Sequence, residues 1–438
     1  MKRNKHLFFL LLALMFHQAK ADNKVSLNLS QCIEYAVEHN IQIKQLHVSQ
    51  EQQEVSLREA QAALFPSLSF GMNQSATYLP LQKKNDGIVG NGSYALNASF
   101  TVWNGKANTN KIKIQKLNTE QTRLNTEISK NSITEEITQL YLQILYSNEA
   151  EKVNERILQT TERQLQRGKE MVSSGLMSET ELKQLEAQHA SAQYDVVQAQ
   201  TQIDNYMLEL KQLLELDPET DFEITSLKAD DLEALQNIPN SQDVYQKALL
   251  MRPEIKSRQL AIEMAKRNIQ VAKAGYQPSI ILNASVSDNH NYSANIASQF
   301  KNNLNGSVGI TLSVPIFDNR KTKSAIQQAK LEQTAKSLEL TEQQKELYNT
   351  IEKYNLQARN NQEQFRASLI KVESMESSYK LLNEQFENGL KNVVELLTAK
   401  DNLLQAQQEK LQSKYTTLLN IQLLKFYQGN PISLTTNS

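Results

Sequence analysis

Beyond residue 21 the side chains that could do covalent or metal chemistry are four histidines, one cysteine and an acidic run, and their arrangement points to none of it. His39, His47, His189 and His290 show no HExxH or other clustered ligand spacing, so they read as scattered surface histidines. Cys32 stands alone in a helical pattern beside Ile33 and Val37; it has no disulfide partner and no nucleophile context, and is expected half-buried. The stretch "DPETDFEITSLKADDLEAL", residues 217–235, could hold calcium, but a solvated acidic connector is the simpler reading. No GxxxxGK[ST] phosphate loop occurs, so the chain is not expected to hydrolyse nucleotide, to carry a cofactor or to be an enzyme. Glu181 and Glu395 follow Ser178 and Asn392 by three residues, the spacing of a capping box at a helix start.

The informative residues are those that repeat. "NGSYALNASFTVWNGKANTNKIKIQK" (91–116) and "NGSVGITLSVPIFDNRKTKSAIQQAK" (305–330) each run from strand pattern into helix pattern, 214 residues apart. "AQAALFPSLSF" (60–70) matches "AKAGYQPSIIL" (272–282) at 212, and "SSGLMSETEL" (173–182) matches "ENGLKNVVEL" (387–396) at 214. Three landmarks in one order at one spacing imply a tandem duplication of a unit about 200 residues long.

Each unit predicts a helix of roughly 35 residues (about 30–64 and 241–276), ended by Pro66 or Pro278, because proline disfavours helical geometry in the residue before it. Two strands follow, then a very long helix (about 105–167 and 318–386), a glycine turn, and a return helix (about 178–215 and 392–427). A helix of roughly 63 residues runs about 95 Å and must pack along its length. Leu347, Ile351, Tyr354, Ala358, Phe365, Leu369 and Val372 form a heptad seam for that packing. Gly175 and Gly389 stand where the chain reverses through a left-handed residue.

The domain plan is therefore a signal segment at 1–21, repeat 1 at 22–216, an acidic linker at 217–240, repeat 2 at 241–428 and a polar tail at 429–438. The first 21 residues have a basic start, an apolar run from Leu7 to Phe16 and "AKA" at Ala19–Ala21, the layout of a cleaved export signal. The chain holds 47 Lys and Arg against 48 Asp and Glu; removing the four basic residues of that segment leaves 43, an acidic excess that argues against a nucleic-acid partner. No later apolar run reaches the 18 or so residues of a membrane helix, so any membrane crossing must use strands.

Strand patterns are present. Val308, Ile310, Leu312, Val314 and Ile316 alternate with small or polar residues, as do Tyr94, Leu96, Ala98, Phe100 and Val102, then Leu68, Phe70 and Met72, and Ile280, Leu282, Ala284 and Val286. Segments of about ten residues with one greasy and one polar face fit an outer-membrane barrel. Four strands cannot close one, since every backbone amide in hydrocarbon needs a partner. Copies of the chain must supply the rest, and the residues alone leave two, three or four open.

The order of duplicated helix, "PS" strand, "VPIFDN" strand exit, long helix, "NGL" turn and return helix resembles the TolC-type outer-membrane efflux protein family over essentially the whole exported chain. The resemblance implies a mainly α protein with membrane β: a homotrimer whose twelve-stranded β-barrel, four strands per chain, sits in outer-membrane lipid and continues as a long antiparallel α-helical coiled-coil barrel into the periplasm. It implies a passive exit channel of a tripartite efflux or type I secretion system, with a periplasmic adaptor and an inner-membrane transporter, proton-driven or ABC type, as partners. Aligned on "FENGLKNVVELLTA", Phe386, Lys391 and Glu395 fall at the family's periplasmic gate positions, and Thr398 replaces a second acidic residue. Gly175, Leu176, Gly389 and Leu390 resemble the tips that contact adaptors. The competing readings are a trimeric surface adhesin, whose strands would be contiguous near the C-terminus, and a periplasmic coiled-coil scaffold.

Overall fold

The computed structural model describes residues 25–78, 88–225, 231–291 and 296–432. The expected signal segment lies outside them, as do parts of the linker, of both strand-connecting loops and of the polar tail. The elements are β1 (Val25–Leu27), α1 (Leu29–His39), α2 (Ile41–Ala62), β2 (Ser67–Tyr78), β3 (Ile88–Asn104), α3 (Ala107–Ser173) and α4 (Glu179–Leu213). They continue as β4 (Phe222–Ile224), α5 (Asp231–Ala234), α6 (Ser241–Met251), α7 (Pro253–Lys273), β5 (Ser279–Asn291), α8 (Ile296–Asn303), β6 (Asn305–Ser313), α9 (Lys321–Glu387) and α10 (Val393–Tyr427).

The duplication is written into the backbone. The helices α3 and α9 each have 67 residues, and α4 and α10 each have 35. The turn between strand and long helix passes through left-handed Gly105 and Lys106 in the first repeat and through left-handed Asn319 and Arg320 in the second. The expected first helix of each repeat is instead broken in two, at Asn40 and at Arg252. The causes differ. Pro253 occupies the first turn of α7 and forces Arg252 into an extended conformation, whereas the Asn40 side chain accepts from the Gln42 amide at 2.9 Å and starts α2 as a cap.

The chain divides into two compact units. One comprises Gln45–Ile128 and Arg252–Glu346, and its centre is an antiparallel sheet in the order β2-β3-β5-β6. The two hairpins, one from each repeat, join through β3 and β5, with Leu96 opposite Val286 and Asn97 opposite Ser285. A bulge at Val102 lets β3 bend before it enters α3. Strand β6 ends at Ser313, short of the expected Ile316, because Pro315 has no amide to offer the ladder. One sheet face is apolar and open: Leu68, Phe70, Val308 and Ile310 are all 68% exposed or more.

The other unit holds the described residues up to Lys44 together with Ser129–Met251 and those from Leu347 onward. Its core gathers Cys32, Ile137, Tyr141, Leu210, Phe365 and Leu411. Cys32 is fully buried rather than half-buried, and burial pushes its thiol up to about 12. The linker is no free connector. Strand β4 pairs in parallel with β1, burying Phe222 and Ile224, and the Tyr141 hydroxyl donates to the Thr225 carbonyl at 2.8 Å. The heptad seam of α9 is buried at Leu347, Ile351, Ala358 and Phe365. Between these, Asn355 donates to the Pro239 carbonyl, and Gln362 donates to the carbonyls of Ala234 and Gln236, each at 2.8 Å. The seam thus receives the linker, whose backbone polar groups need partners once buried.

Candidate functional site

The two reversals that join α3 to α4 and α9 to α10 are built alike. At the first, the Leu176 amide donates to the Met171 carbonyl at 2.8 Å and the Gly175 amide to the Val172 carbonyl at 3.0 Å. At the second, Leu390 donates to Gln385 and Gly389 to Phe386, both at 2.9 Å. These are Schellman motifs, which require a left-handed residue after the helix. Gly175 and Gly389 supply it at φ +71° and +73°. The leucine that follows such a glycine commonly folds back onto its helix. Here Leu176 and Leu390 are 71% and 74% exposed, one apolar knob at each tip.

The return helices start differently. Ser178 and Glu181 close a full capping box: the Glu181 amide donates to Ser178 Oγ at 3.2 Å, and the Ser178 amide donates to Glu181 Oε2 at 3.0 Å. The bonds that the Glu181 carboxylate accepts from the Ser178 amide and the Ser178 hydroxyl hold it below its usual range. At the second tip the Glu395 amide donates to Asn392 Oδ1 at 3.0 Å, but the Glu395 carboxylate does not return to the backbone. It accepts from Lys391 Nζ at 2.6 Å and from Asn392 Nδ2 at 3.2 Å. The expected second capping box is therefore half a box, and its carboxylate is half-exposed in an ion pair with Lys391. Thr398 turns its hydroxyl to the Val394 carbonyl at 2.8 Å.

Phe386 is 1% exposed and packs with Met171, Leu185, Val393 and Leu396, which come from the other three tip helices. The structure therefore brings Lys391 and Glu395 together and puts Phe386 in the core beneath the tips, away from solvent.

Sequence reasoning missed the bonds that tie α3 to α9 near this end. Gln164 Nε2 donates to the Tyr379 hydroxyl at 2.8 Å and to Asn383 Oδ1 at 2.9 Å. Arg167 Nη2 donates to the Glu387 carbonyl at 3.0 Å. Gln164 is 4% exposed, its Oε1 has no partner, and it lines a cavity of about 500 Å³ with Arg156, Arg163, Arg167, Tyr379 and Lys380. Burial pushes the Tyr379 phenol up, and the bond from Gln164 offsets part of that. In a chain so rich in glutamine, nothing in the local pattern singles out this one.

One histidine departs from expectation. His290 is buried on β5, stacked against Tyr94 with centroids 5.2 Å apart, and its Nδ1 lies 3.7 Å from Asp288 Oδ2. Gly92 makes room for it, since a Cβ there would sit 2.3 Å from His290 Nε2. Among the described residues no group of three or more His, Cys, Asp or Glu is placed to hold a metal ion, and no helix is long and apolar enough to cross a membrane.

The profile of the family described as outer membrane efflux protein matches residues 32–215 and 244–430. The alkaline protease secretion protein AprF of Pseudomonas aeruginosa is 28% identical over 182 residues, covering 42% of this chain and 37% of that protein. The outer membrane protein TolC of Vibrio cholerae is 22% identical over 264 residues, 60% of each chain. The chain thus spans less than two thirds of either relative. The crystal structure of the outer membrane protein VceC of Vibrio cholerae superposes with a TM-score of 0.77 at 16% identity, covering 92% of this chain and 97% of that one. With both repeats inside the matched segments and the fold shared nearly end to end, this chain belongs to the outer membrane efflux protein family, non-enzymatic proteins of the outer membrane that extend into the periplasm.

Proposed function

We propose that the protein is a passive exit duct, in which three copies close a twelve-stranded barrel in outer-membrane lipid and their helices line a tunnel through the periplasm. Cargo is handed over by an inner-membrane transporter, proton-driven or ABC type, through a periplasmic adaptor. The observation that carries this reading is the incomplete sheet. Within the described residues β2 and β6 are its edges, 12 and 9 residues long, with no partner strand on their outer sides, and the face between them is apolar and exposed. In hydrocarbon such edges are untenable unless neighbouring copies pair with them.

A row of aromatics supports the membrane placement. Phe65, Trp103, Tyr276 and Phe317 stand where strands meet helices, one at each of the four junctions, and are 72%, 38%, 53% and 83% exposed. Aromatic residues at the ends of an apolar band settle at the headgroup level. The adhesin reading fares poorly, because the two hairpins come from separate repeats rather than from one contiguous segment. The secretion relative leaves protein cargo as open to the duct as small-molecule cargo.

At the tips, Gly175, Leu176, Gly389 and Leu390 present the surface for the adaptor. Glu395 and Lys391 form the charged ring of the gate, Phe386 fixes its base from within the core, and the Gln164 bonds hold α3 and α9 closed. The ion pair changes the electrostatics expected of the ring, because each Glu395 carries its own counter-charge 2.6 Å away. In planar bilayers, Lys391→Ala should raise the preference for cations over anions severalfold, and Glu395→Ala should abolish it. A wild-type selectivity that neither substitution moves would remove both residues from the pore.

A further inference from the structure

At the end of the sheet away from the long helices, β2, β3, β5 and α8 border a pocket of about 390 Å³, inside the range of about 300 to 1,000 Å³ that small ligands occupy. Its floor is one cross-strand row, with Asn73 opposite Ser93 and Ser93 opposite Asn289. Those three side chains make no hydrogen bond among the described residues. Deeper in the sheet the polar rows are cross-bonded instead: Ser99 Oγ donates to Asn283 Oδ1 and Asn283 Nδ2 to Thr311 Oγ1, each at 3.2 Å, and Ser285 and Ser307 share a bond of 2.9 Å. The walls of the pocket are tied as well. On one side Asn291 Nδ2 donates to Asn91 Oδ1 at 3.2 Å, and Ser75 Oγ donates to the Asn91 carbonyl at 3.3 Å. On the other, Gln299 of α8 accepts from the Asn291 amide and donates to the Asn291 carbonyl, each at 2.7 Å, while Asn303 Nδ2 donates to the Asn289 carbonyl. The walls are therefore fixed and the floor is left unmatched. The one titratable residue in the lining is His290, 7% exposed and stacked on Tyr94.

The geometry points to a binding site for a neutral saccharide in this pocket. A side-chain amide carries both donors and an acceptor, and a serine hydroxyl both donates and accepts. Sugar hydroxyls do the same, so a pyranose meets such a lining without stranding a polar group on either side. The other ligand classes fit badly. An apolar ligand would bury the amides unpaired, and an ion would give up its hydration for a lining with no carboxylate, lysine or arginine to balance it. The dimensions agree: neighbouring strands lie about 4.8 Å apart, so the row of three presents its groups across about 10 Å, the span of two linked pyranose rings. The site lies within one chain and its chemistry is independent of the duct reading; its position, inside the outer mouth of the barrel, rests on that reading. There it takes a soluble oligosaccharide rather than the sugars of a membrane glycolipid, which stand on the apolar side of the sheet.

Full-length protein in phospholipid nanodiscs, titrated with maltose, lactose and N,N′-diacetylchitobiose, gives the test, with binding read by saturation-transfer NMR, which needs no open channel. The expected result is saturable binding of at least one disaccharide in the millimolar range, weakened about tenfold when Asn73→Ala and Asn289→Ala are combined, since two ligand hydrogen bonds are lost. Asn73 and Asn289 are exposed and make no side-chain bond within the fold, so their removal leaves the sheet intact, and the mass of the assembly checks this. Lys391→Ala, at the far tip, should bind as wild type does. No saturable binding of any of the three sugars overturns the inference, and so does a double variant that binds like wild type, a loss caused by Lys391→Ala alone, or tighter binding of glucuronic acid than of glucose. Lipopolysaccharide built into the discs should not compete; competition would assign the pocket to a glycolipid and overturn its place in the lumen. A chain that proves monomeric in lipid sinks the duct reading, whereas the sugar titration is scored on its own.

Discussion

Lys391, Glu395 and Phe386 show how far residue types alone reach. Their resemblance to the family's turn motif singles them out at one tip, but which side of the helix faces the core depends on the partner helices, so the burial of Phe386 and the pairing of Glu395 were not legible. The helical pattern beside Ile33 and Val37 reads Cys32 as half-buried; the residues that cover it, such as Ile137 and Leu210, come from distant segments. With its thiol raised to about 12 by burial, Cys32 should resist maleimide in the native protein at pH 7 and react fully in urea. Labelling at equal rates in both states would contradict its placement. A second residue-scale prediction concerns the linker. Burial draws the Asp231 carboxyl upward, but Lys414 at 2.9 Å and Lys410 at 3.4 Å outweigh it and leave it below its ordinary value of 3.8. A carboxyl depressed in the native state stabilises it fully above the unfolded value and loses that contribution as pH falls further. Acid unfolding followed by circular dichroism should therefore show Asp231→Asn less stable at pH 7 and less dependent on pH below about 4 than wild type.

At the scale of elements the sequence was most informative where chain chemistry is local. Pro66, Pro278 and the two glycine turns gave real boundaries, and the 214-residue spacing reappears in matched helices and matched left-handed turns. The breaks at Asn40 and Arg252 were missed because an apolar pattern continues through both, and only the cap and the proline interrupt the backbone. The seam of α9 was read correctly as a packing face but its occupant was not, since the linker's polar composition hides how Gln362 and Asn355 bind its carbonyls. Gly175 and Gly389 test the turns. A Cβ at either would meet no atom within 4 Å, so the cost of Gly→Ala there is conformational alone. Each substitution should destabilise by about 1–2 kcal/mol. Denaturant unfolding of Gly175→Ala and Gly389→Ala should show losses of similar size; a loss at one tip only would mean the two reversals are not equivalent.

For the whole molecule, what the sequence made legible was a deficit. Four strands with one greasy face are too few to satisfy their own edges, and the fold displays those edges at β2 and β6. How many copies close the sheet is not written in strand chemistry, because β2 and β6 would pair with a neighbour in a ring of any size that the twist allows. The same deficit explains why the apolar face is exposed in a single chain and why the aromatic row stands at its border. The most direct measurement is the mass of the protein extracted from membranes and held in lipid nanodiscs. Assembly from three chains is predicted, with cysteines placed on the outer edges of β2 and β6 cross-linking between copies; a single chain in lipid, with those edges reactive toward water-soluble reagents, would contradict it.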